Sequence, residues 1–239
     1  MPVPKRDGTI RLCGDYKITV NPLLQVDQYP LPNPTELMAT LSGSKHFSKL
    51  DLTSAYQQML LDKESARLVT VNTHQGLYEC MRLPFGIVST PAVFQRAMDS
   101  VLQGIPGVVC YLDDILVTGK TDEDHLRSLE MVLQRLQEHG VRLRQDKCRF
   151  FQHSVEYLGH RVDASGIHTS QTKIEAITGA PPPTNVSQLR SFLGLINYYG
   201  KFVPNLASRL HPLNELLRTG VPWKWTKKRQ AAFDEARRA

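Results

Sequence analysis

Apolar residues recur along this chain with two periods, and the places where one gives way to the other outline its elements. Pro34 to Leu41 has the spacing of a short helix, and His46 to Leu52 reads as extended, with Phe47, Lys49 and Asp51 on one side. Ser89-Thr90-Pro91 sets a hydroxyl cap and a first-turn proline ahead of Phe94, Ala97, Met98 and Val101. Those four follow helical spacing, and Gly104 ends the element. Val108–Tyr111 and Ile115–Val117 are short β-type runs flanking Leu112-Asp-Asp114, a hairpin pattern. Thr121 with Asp124 opens a helix in the manner of a capping box, with Asp in place of the usual Glu or Gln. Its expected apolar stripe is Leu126, Leu129, Leu133 and Leu136, and Gly140 closes it. Val141–Leu143 and Ser154–Val162 are expected to be extended. Strands and helices interleave without strict alternation, which predicts an α+β fold: a mostly antiparallel sheet with helices on one face.

Two proline clusters punctuate this pattern, Tyr29-Pro-Leu-Pro-Asn-Pro34 and Ala180-Pro-Pro-Pro-Thr184. The second reads as a stiff linker, since consecutive prolines cannot continue a helix, and a subdomain boundary is expected a little before it, near Gly166. Beyond it, Gln188 to Lys201 is expected to be helical, with Leu189, Phe192, Leu193 and Ile196 on one face. Arg190, Gly194, Asn197 and Lys201 form the opposite stripe. A glycine within a helix costs about 1 kcal/mol relative to alanine and is understandable where another backbone comes close, as in the shallow groove of a duplex. From spacing alone a solvated face with a tolerated glycine is the simpler reading.

Composition narrows the class. The 239 residues hold 29 basic and 23 acidic side chains, a formal charge of +6, and 41% hydrophobic residues, which excludes collagen-like and disordered chains. No apolar run has the length of a membrane helix, and Met1-Pro-Val-Pro-Lys-Arg-Asp-Gly8 has no signal-peptide core, so an intracellular protein with no membrane partner is expected. Cys13, Cys80, Cys110 and Cys148 are far apart and lack the close pairing of structural zinc ligands, so four thiols are expected. The basic balance hints at a polyanionic partner.

The chemistry is carried by carboxylates. Tyr111-Leu-Asp-Asp114 sits at the hairpin tip, and Asp51 ends an earlier extended run beside Lys49. An Asp-Asp pair is most often a turn, but adjacent aspartates repel, and a cation relieves the repulsion. A third ligand from elsewhere would complete a site for hard cations, Mg²⁺ or Mn²⁺. Two such ions support in-line phosphoryl displacement, which serves a nucleotidyl transferase and a metal-dependent nuclease equally. These residues leave both open.

Eight ordered blocks then resemble the reverse transcriptase of gypsy-type LTR retrotransposon polyproteins, over nearly the whole chain. They are Lys5-Arg-Asp-Gly-Thr-Ile-Arg-Leu-Cys-Gly-Asp-Tyr16, Tyr29-Pro-Leu-Pro32, Phe47-Ser-Lys-Leu-Asp-Leu-Thr-Ser-Ala-Tyr-Gln57, and Leu83-Pro-Phe-Gly86 with Thr90-Pro-Ala-Val-Phe-Gln95. They continue with Tyr111-Leu-Asp-Asp-Ile-Leu116, Asp146-Lys-Cys148, Glu156-Tyr-Leu-Gly-His160 and Leu189-Arg-Ser-Phe-Leu-Gly-Leu-Ile-Asn-Tyr-Tyr199. The resemblance implies an RNA-directed DNA polymerase with a right-hand fold. Partial fingers would occupy residues 1–45, the palm 46–165 with a further fingers segment at about 62–83, the thumb 166–218, and the start of a connection toward an absent RNase H domain 219–239.

Carried to matching positions, the resemblance implies that Asp51, Asp113 and Asp114 hold two Mg²⁺ or Mn²⁺ ions, with the Leu52 carbonyl assisting. Tyr56 would exclude a ribose 2′-hydroxyl. Lys5 or Arg6, with Arg11, would grip the triphosphate of a dNTP, and Phe85 and Gly86 would pack on the nucleotide. Lys147 would protonate the pyrophosphate leaving group, although a solvated basic face explains it nearly as well. Leu158-Gly159 would align the primer 3′-hydroxyl. Arg190, Gly194, Asn197 and Lys201 would then track the minor groove of a primer on an RNA or DNA template, reversing the simpler reading of that stripe. The family carries finger residues ahead of the Lys-x-Asp-Gly segment, so a start inside the fingers and weaker triphosphate binding are expected. A binding remnant without catalysis is the alternative; a two-metal nuclease would leave Tyr56 and Leu158-Gly159 without roles. Oligomeric state is not legible.

Overall fold

The structure is a computed structural model that describes residues 2–4, 8–26, 28–41 and 43–238. In chain order, the short strands β1 (Pro2–Pro4) and β2 (Ile10–Leu12) pair with each other, and α1 (Pro34–Thr40) leads into β3 (His46–Asp51). Next come α2 (Lys63–Leu68), the hairpin β4 (Val71–Thr73) and β5 (Gly76–Tyr78), and α3 (Thr90–Leu102). β6 (Val108–Tyr111), β7 (Asp114–Gly119), α4 (Asp122–Glu138) and β8 (Arg149–Gln152) follow. β9 (Ser154–Tyr157), β10 (His160–Asp163) and β11 (Gly166–Thr169) form a meander. The helices α5 (Gln171–Thr178), α6 (Val186–Tyr198), α7 (Leu206–Asn214) and α8 (Lys227–Arg238) end the chain.

The central sheet has the order β6-β7-β3-β8 and is antiparallel throughout its described pairings. Strand alternation sorts its side chains onto two faces. Leu50, Ile115, Val117 and Cys110 point to one, where Phe94, Met98 and Val101 of α3 and Leu129, Val132 and Leu136 of α4 cover them. Phe47, Leu116 and Val109 point to the other, against Met38, Leu41, Val155, Tyr157 and Val162. Each fully buried aliphatic of this kind contributes roughly 1.5–3 kcal/mol. The sheet is thereby locked from both sides, and its end at Asp51 and Asp114 is fixed relative to its core.

Several expectations need correction. The buried stripe of α4 is His125, Ser128, Leu129, Val132 and Leu136, while Leu126 is 53% and Leu133 38% exposed. The helix is rolled so that His125 reaches Ser48 Oγ of β3, with Nε2 2.8 Å away, a buried polar bond that the count of leucines does not register. Ser154–Val162 is two strands, not one, because Leu158 and Gly159 both take positive φ (47° and 73°) and turn the chain back. Val141–Leu143 forms no strand; it makes a single bridge, Leu52 with Leu143.

The chain divides into two compact units, one running to Leu158 with Val162–Ile167, the other comprising Gly159–Arg161 with the residues from His168 on. Within the second, Leu189, Phe192, Leu193 and Ile196 of α6 share one core with Leu206, Leu210 and Leu213 of α7 and Ala232, Phe233 and Ala236 of α8. The proline cluster joins α5 to α6 inside this unit, so it stiffens a helix–helix connection and does not link the two units. Helix α6 is capped by the Asn185 side chain, which accepts from the Gln188 N–H, and it ends at Tyr198. Lys201 therefore lies in a following 3₁₀ turn, Gly200–Phe202, beyond the helix expected to carry it.

Candidate active site

The β6–β7 hairpin turns in two residues, Leu112-Asp113, closed by the pair Tyr111 and Asp114. Tight hairpins of this length need positive φ at their first turn residue, the place where glycine is usual. Here it is Leu112 at φ 54°, a conformation costing about 1–2 kcal/mol for a residue with a Cβ. The turn presents Asp113 to solvent and starts β7 with Asp114.

Asp114 is directly opposite Asp51 in the β3–β7 register. Opposed residues share a face, with Cβ atoms about 5 Å apart, so two carboxylates distant in sequence meet at one end of the sheet with Asp113 beside them. Lys49, two residues before Asp51 on the same face, sets its Nζ 3.0 Å from Asp114 Oδ2 and 3.4 Å from the Glu156 carbonyl. Burial raises the pKa of Asp114 above the usual carboxylate range. Lys49 opposes that rise, and the charges of Asp113 and Asp51 add to it. Asp114 therefore feels both of the other carboxylates. Among the described residues no three His, Cys, Asp or Glu side chains close around a point tightly enough to hold an ion as they stand, and the Lys49 ammonium pairs with Asp114. The donor set is all carboxylate oxygen, the chemistry that suits Mg²⁺ or Mn²⁺ over softer metals.

Residues after Asp51 are held as firmly. Ser54, at φ 47°, breaks the strand and starts a 3₁₀ turn, Ala55–Gln58. Tyr56 from that turn packs edge-on against Phe94 of α3 (centroids 5.2 Å) and Phe85 (5.4 Å). Phe85 and Gly86 are fixed from the N-terminal segment: Asn21 donates from Nδ2 to the Gly86 carbonyl at 2.9 Å and accepts from the Val88 N–H at 3.0 Å. Gly86 has φ 107°, and a Cβ there would be 2.3 Å from the Gly14 carbonyl oxygen. Leu52 buries its side chain in the core beneath Asp51. The Asp51 carbonyl accepts from the Arg144 N–H at 2.8 Å, which anchors the exposed 3₁₀ turn Gln145–Lys147 bearing Lys147.

In the second unit, Arg190, Gly194 and Asn197 are exposed on one face of α6, and a Cβ added at Gly194 would meet nothing within 4 Å. Among the described residues, no neighbouring side chain requires that glycine. The Gly159 carbonyl accepts from Tyr199 Oη at 2.6 Å. Lys5 and Arg6 lie outside the described residues, as do the side chains of Arg11 and Lys201; the Arg11 backbone belongs to β2, opposite Val3.

Two contributors escaped the sequence reading. The ion pair of Lys49 with Asp114 was foreshadowed only by Lys49 sharing a face with Asp51. Gln95 is fully buried and bonds the Cys110 carbonyl and the Leu112 N–H. Its one signal was a glutamine next to Phe94, on the core side of an apolar helix.

The architecture is the polymerase fold of retroviral reverse transcriptases. It superposes on the foamy viral protease–reverse transcriptase bound to double-stranded DNA with a TM-score of 0.94 at 28% identity, over 99% of this chain and 42% of that one. Against the same protein with an RNA/DNA hybrid the TM-score is 0.89 at 28% identity, over 99% of this chain and 32% of that one. A family model described as reverse transcriptase (RNA-dependent DNA polymerase) matches residues 3–162, and the chain belongs to that family. Among curated proteins it is 36% identical over 234 residues to the Transposon Tf2-3 and Tf2-4 polyproteins of Schizosaccharomyces pombe, alignments that take in 97% of this chain. The chain spans 18% of the length of those relatives.

Proposed function

We propose that this chain is the RNA-directed DNA polymerase part of a retrotransposon polyprotein, adding dNTPs to a primer 3′-hydroxyl on an RNA or DNA template. The observation that carries the reading is the pairing of Asp51 with Asp114 across β3 and β7, with Asp113 at the adjoining turn. Family membership and the relatives' identity as transposon polyproteins support it. The central sheet with α3 and α4 would be the palm, residues 1–45 and about 62–83 the fingers, 166–218 the thumb, and 219–239 the start of a connection. Its work would be done inside the cell, in the cytoplasm within a retrotransposon particle or in the nucleus.

Asp51, Asp113 and Asp114 would hold two Mg²⁺ or Mn²⁺ ions, with the Leu52 carbonyl assisting. When bound, such ions supply positive charge to the attacking and leaving oxygens of an in-line displacement. The protein's share is then positioning. Tyr56, clamped between Phe85 and Phe94, would present a rigid ring to the sugar, where a 2′-hydroxyl collides. Phe85 and the backbone at Gly86 would floor the nucleotide. Lys5 or Arg6, with Arg11, would meet the triphosphate, and Lys147 the departing pyrophosphate. Leu158-Gly159 would hold the primer terminus, and Arg190, Asn197 and Lys201 would contact phosphates past the bare surface of Gly194.

The test is extension of a DNA primer on an RNA template with dNTPs and Mg²⁺, beside Asp113→Asn. Extension by the wild type and none by the variant supports the proposal. Duplex binding without extension would leave a nucleic-acid-binding remnant, and cleavage without extension a nuclease.

A further inference from the structure

The Leu112-Asp113 turn holds a leucine at positive φ, and such a conformation persists only where surrounding groups define it. The Cys110 thiol reaches the Leu112 carbonyl at 3.5 Å, and the shorter bond comes from Gln95, in the second turn of α3. Its Oε1 accepts from the Leu112 N–H at 2.8 Å, and its Nε2 donates to the Cys110 carbonyl at 3.0 Å. One amide thus spans the strand before the turn and the first residue within it. The side chain is fully buried.

The orientation of this amide is decided by chemistry. Leu112 N–H can only donate and the Cys110 carbonyl can only accept, so oxygen must face the first and nitrogen the second. Asp99, one helical turn on, adds a third constraint: its Oδ1 accepts from the same Nε2 at 2.8 Å. Its other oxygen, Oδ2, accepts from Tyr29 Oη at 2.6 Å. Tyr29 belongs to the first proline cluster, so a chain of hydrogen bonds runs from that segment through Asp99 and Gln95 to the backbone that aims Asp113 and Asp114.

We propose that Gln95 is the positioning residue for the aspartate turn, and that Asp99 and Tyr29 hold its amide the right way round. This rests on the reading of Asp113 and Asp114 as reactive-site carboxylates. Gln95 acts through Leu112, so its loss acts on turnover in place of nucleotide affinity. It also explains why a leucine is tolerated where a hairpin would take glycine: the N–H of that leucine has a dedicated acceptor, and the carbonyl two residues before it a dedicated donor.

Two measurements on the whole chain test the proposal, with Gln95→Leu and Tyr29→Phe. The first is amide hydrogen exchange at Leu112, read by NMR. Gln95→Leu should speed it by about tenfold or more and Tyr29→Phe by about threefold, the scale of one lost or weakened hydrogen bond, while amides of β7 and the rest of α3 keep their rates. Unchanged exchange at Leu112, or a uniform rise across all amides, overturns the proposal. The second is primer extension, where kcat should fall at least about tenfold in Gln95→Leu with the dNTP KM within about threefold of wild type. A KM effect alone overturns it. If Gln95→Leu does not fold, Tyr29→Phe, at a half-buried site, decides by the same two readouts. If the wild type extends no primer, the polymerase reading fails, and exchange at Leu112 still decides whether the clamp exists.

Discussion

Gly86→Ala tests how the loop beside Tyr56 is built. The added methyl would lie 2.3 Å from the Gly14 carbonyl oxygen, about 1 Å inside ordinary contact. That oxygen cannot move away cheaply, because its residue is braced by the ring of Tyr16, a side chain 4% exposed whose hydroxyl donates to the Val69 carbonyl at 2.9 Å. Two costs add: about 1–2 kcal/mol for a Cβ at φ 107°, and about 1–3 kcal/mol for the forced displacement. Gly76→Ala separates them, since that glycine has φ 120° with nothing within 4 Å; it should cost only the same about 1–2 kcal/mol of backbone conformation. Urea unfolding should show Gly86→Ala less stable by roughly 2–5 kcal/mol, or about 5–15 °C in Tm, and Gly76→Ala by less. Because Phe85 adjoins the methyl, the dNTP KM should rise about three- to tenfold with kcat little changed. Equal destabilisation by the two substitutions would refute the argument from close approach.

Tyr56→Ala should let ribonucleotides compete with dNTPs and should cost about 2–4 kcal/mol of stability from the lost packing on Phe85 and Phe94; an unchanged sugar preference in competitive extension would exclude the ring from that role. His125 is fully buried, and burial, with His46 as the lesser cause, lowers its pKa below the usual histidine value. Its proton is then bound more tightly by the unfolded chain, so stability is complete above about pH 6.5 and declines as pH falls from there toward the lowered folded value. Urea midpoints between pH 5 and 8 should show that decline and show it reduced in His125→Gln; identical slopes would count against the assignment.

The elements whose local signals agree with their surroundings were legible without coordinates. The cap and stripe of α3, and the hairpin around Tyr111-Leu-Asp-Asp114, depend on propensity and alternation, which are properties of neighbouring residues. The roll of α4 was not, because it turns on one long-range bond, Ser48 to His125, 77 positions apart. The same holds for the double strand at Leu158-Gly159: a leucine at positive φ runs against its own preference, and nothing in the local pattern announces it. The end of α6 before Lys201 was missed because helical spacing continues past the point where the backbone tightens.

What the linear order determined by itself was which groups are the candidates for the chemistry: three aspartates, an aromatic five residues after the first, and a family of blocks in fixed succession. The tertiary structure alone decided that Asp51 faces Asp114, that Lys49 answers that charge, and that Gln95 bonds the turn leading into Asp114. Register is the reason. Two strands more than sixty residues apart can slide past one another by any number of places on paper, and only the burial of Leu50, Ile115 and Val117 on one face and of Phe47 and Leu116 on the other selects the pairing that brings the carboxylates together.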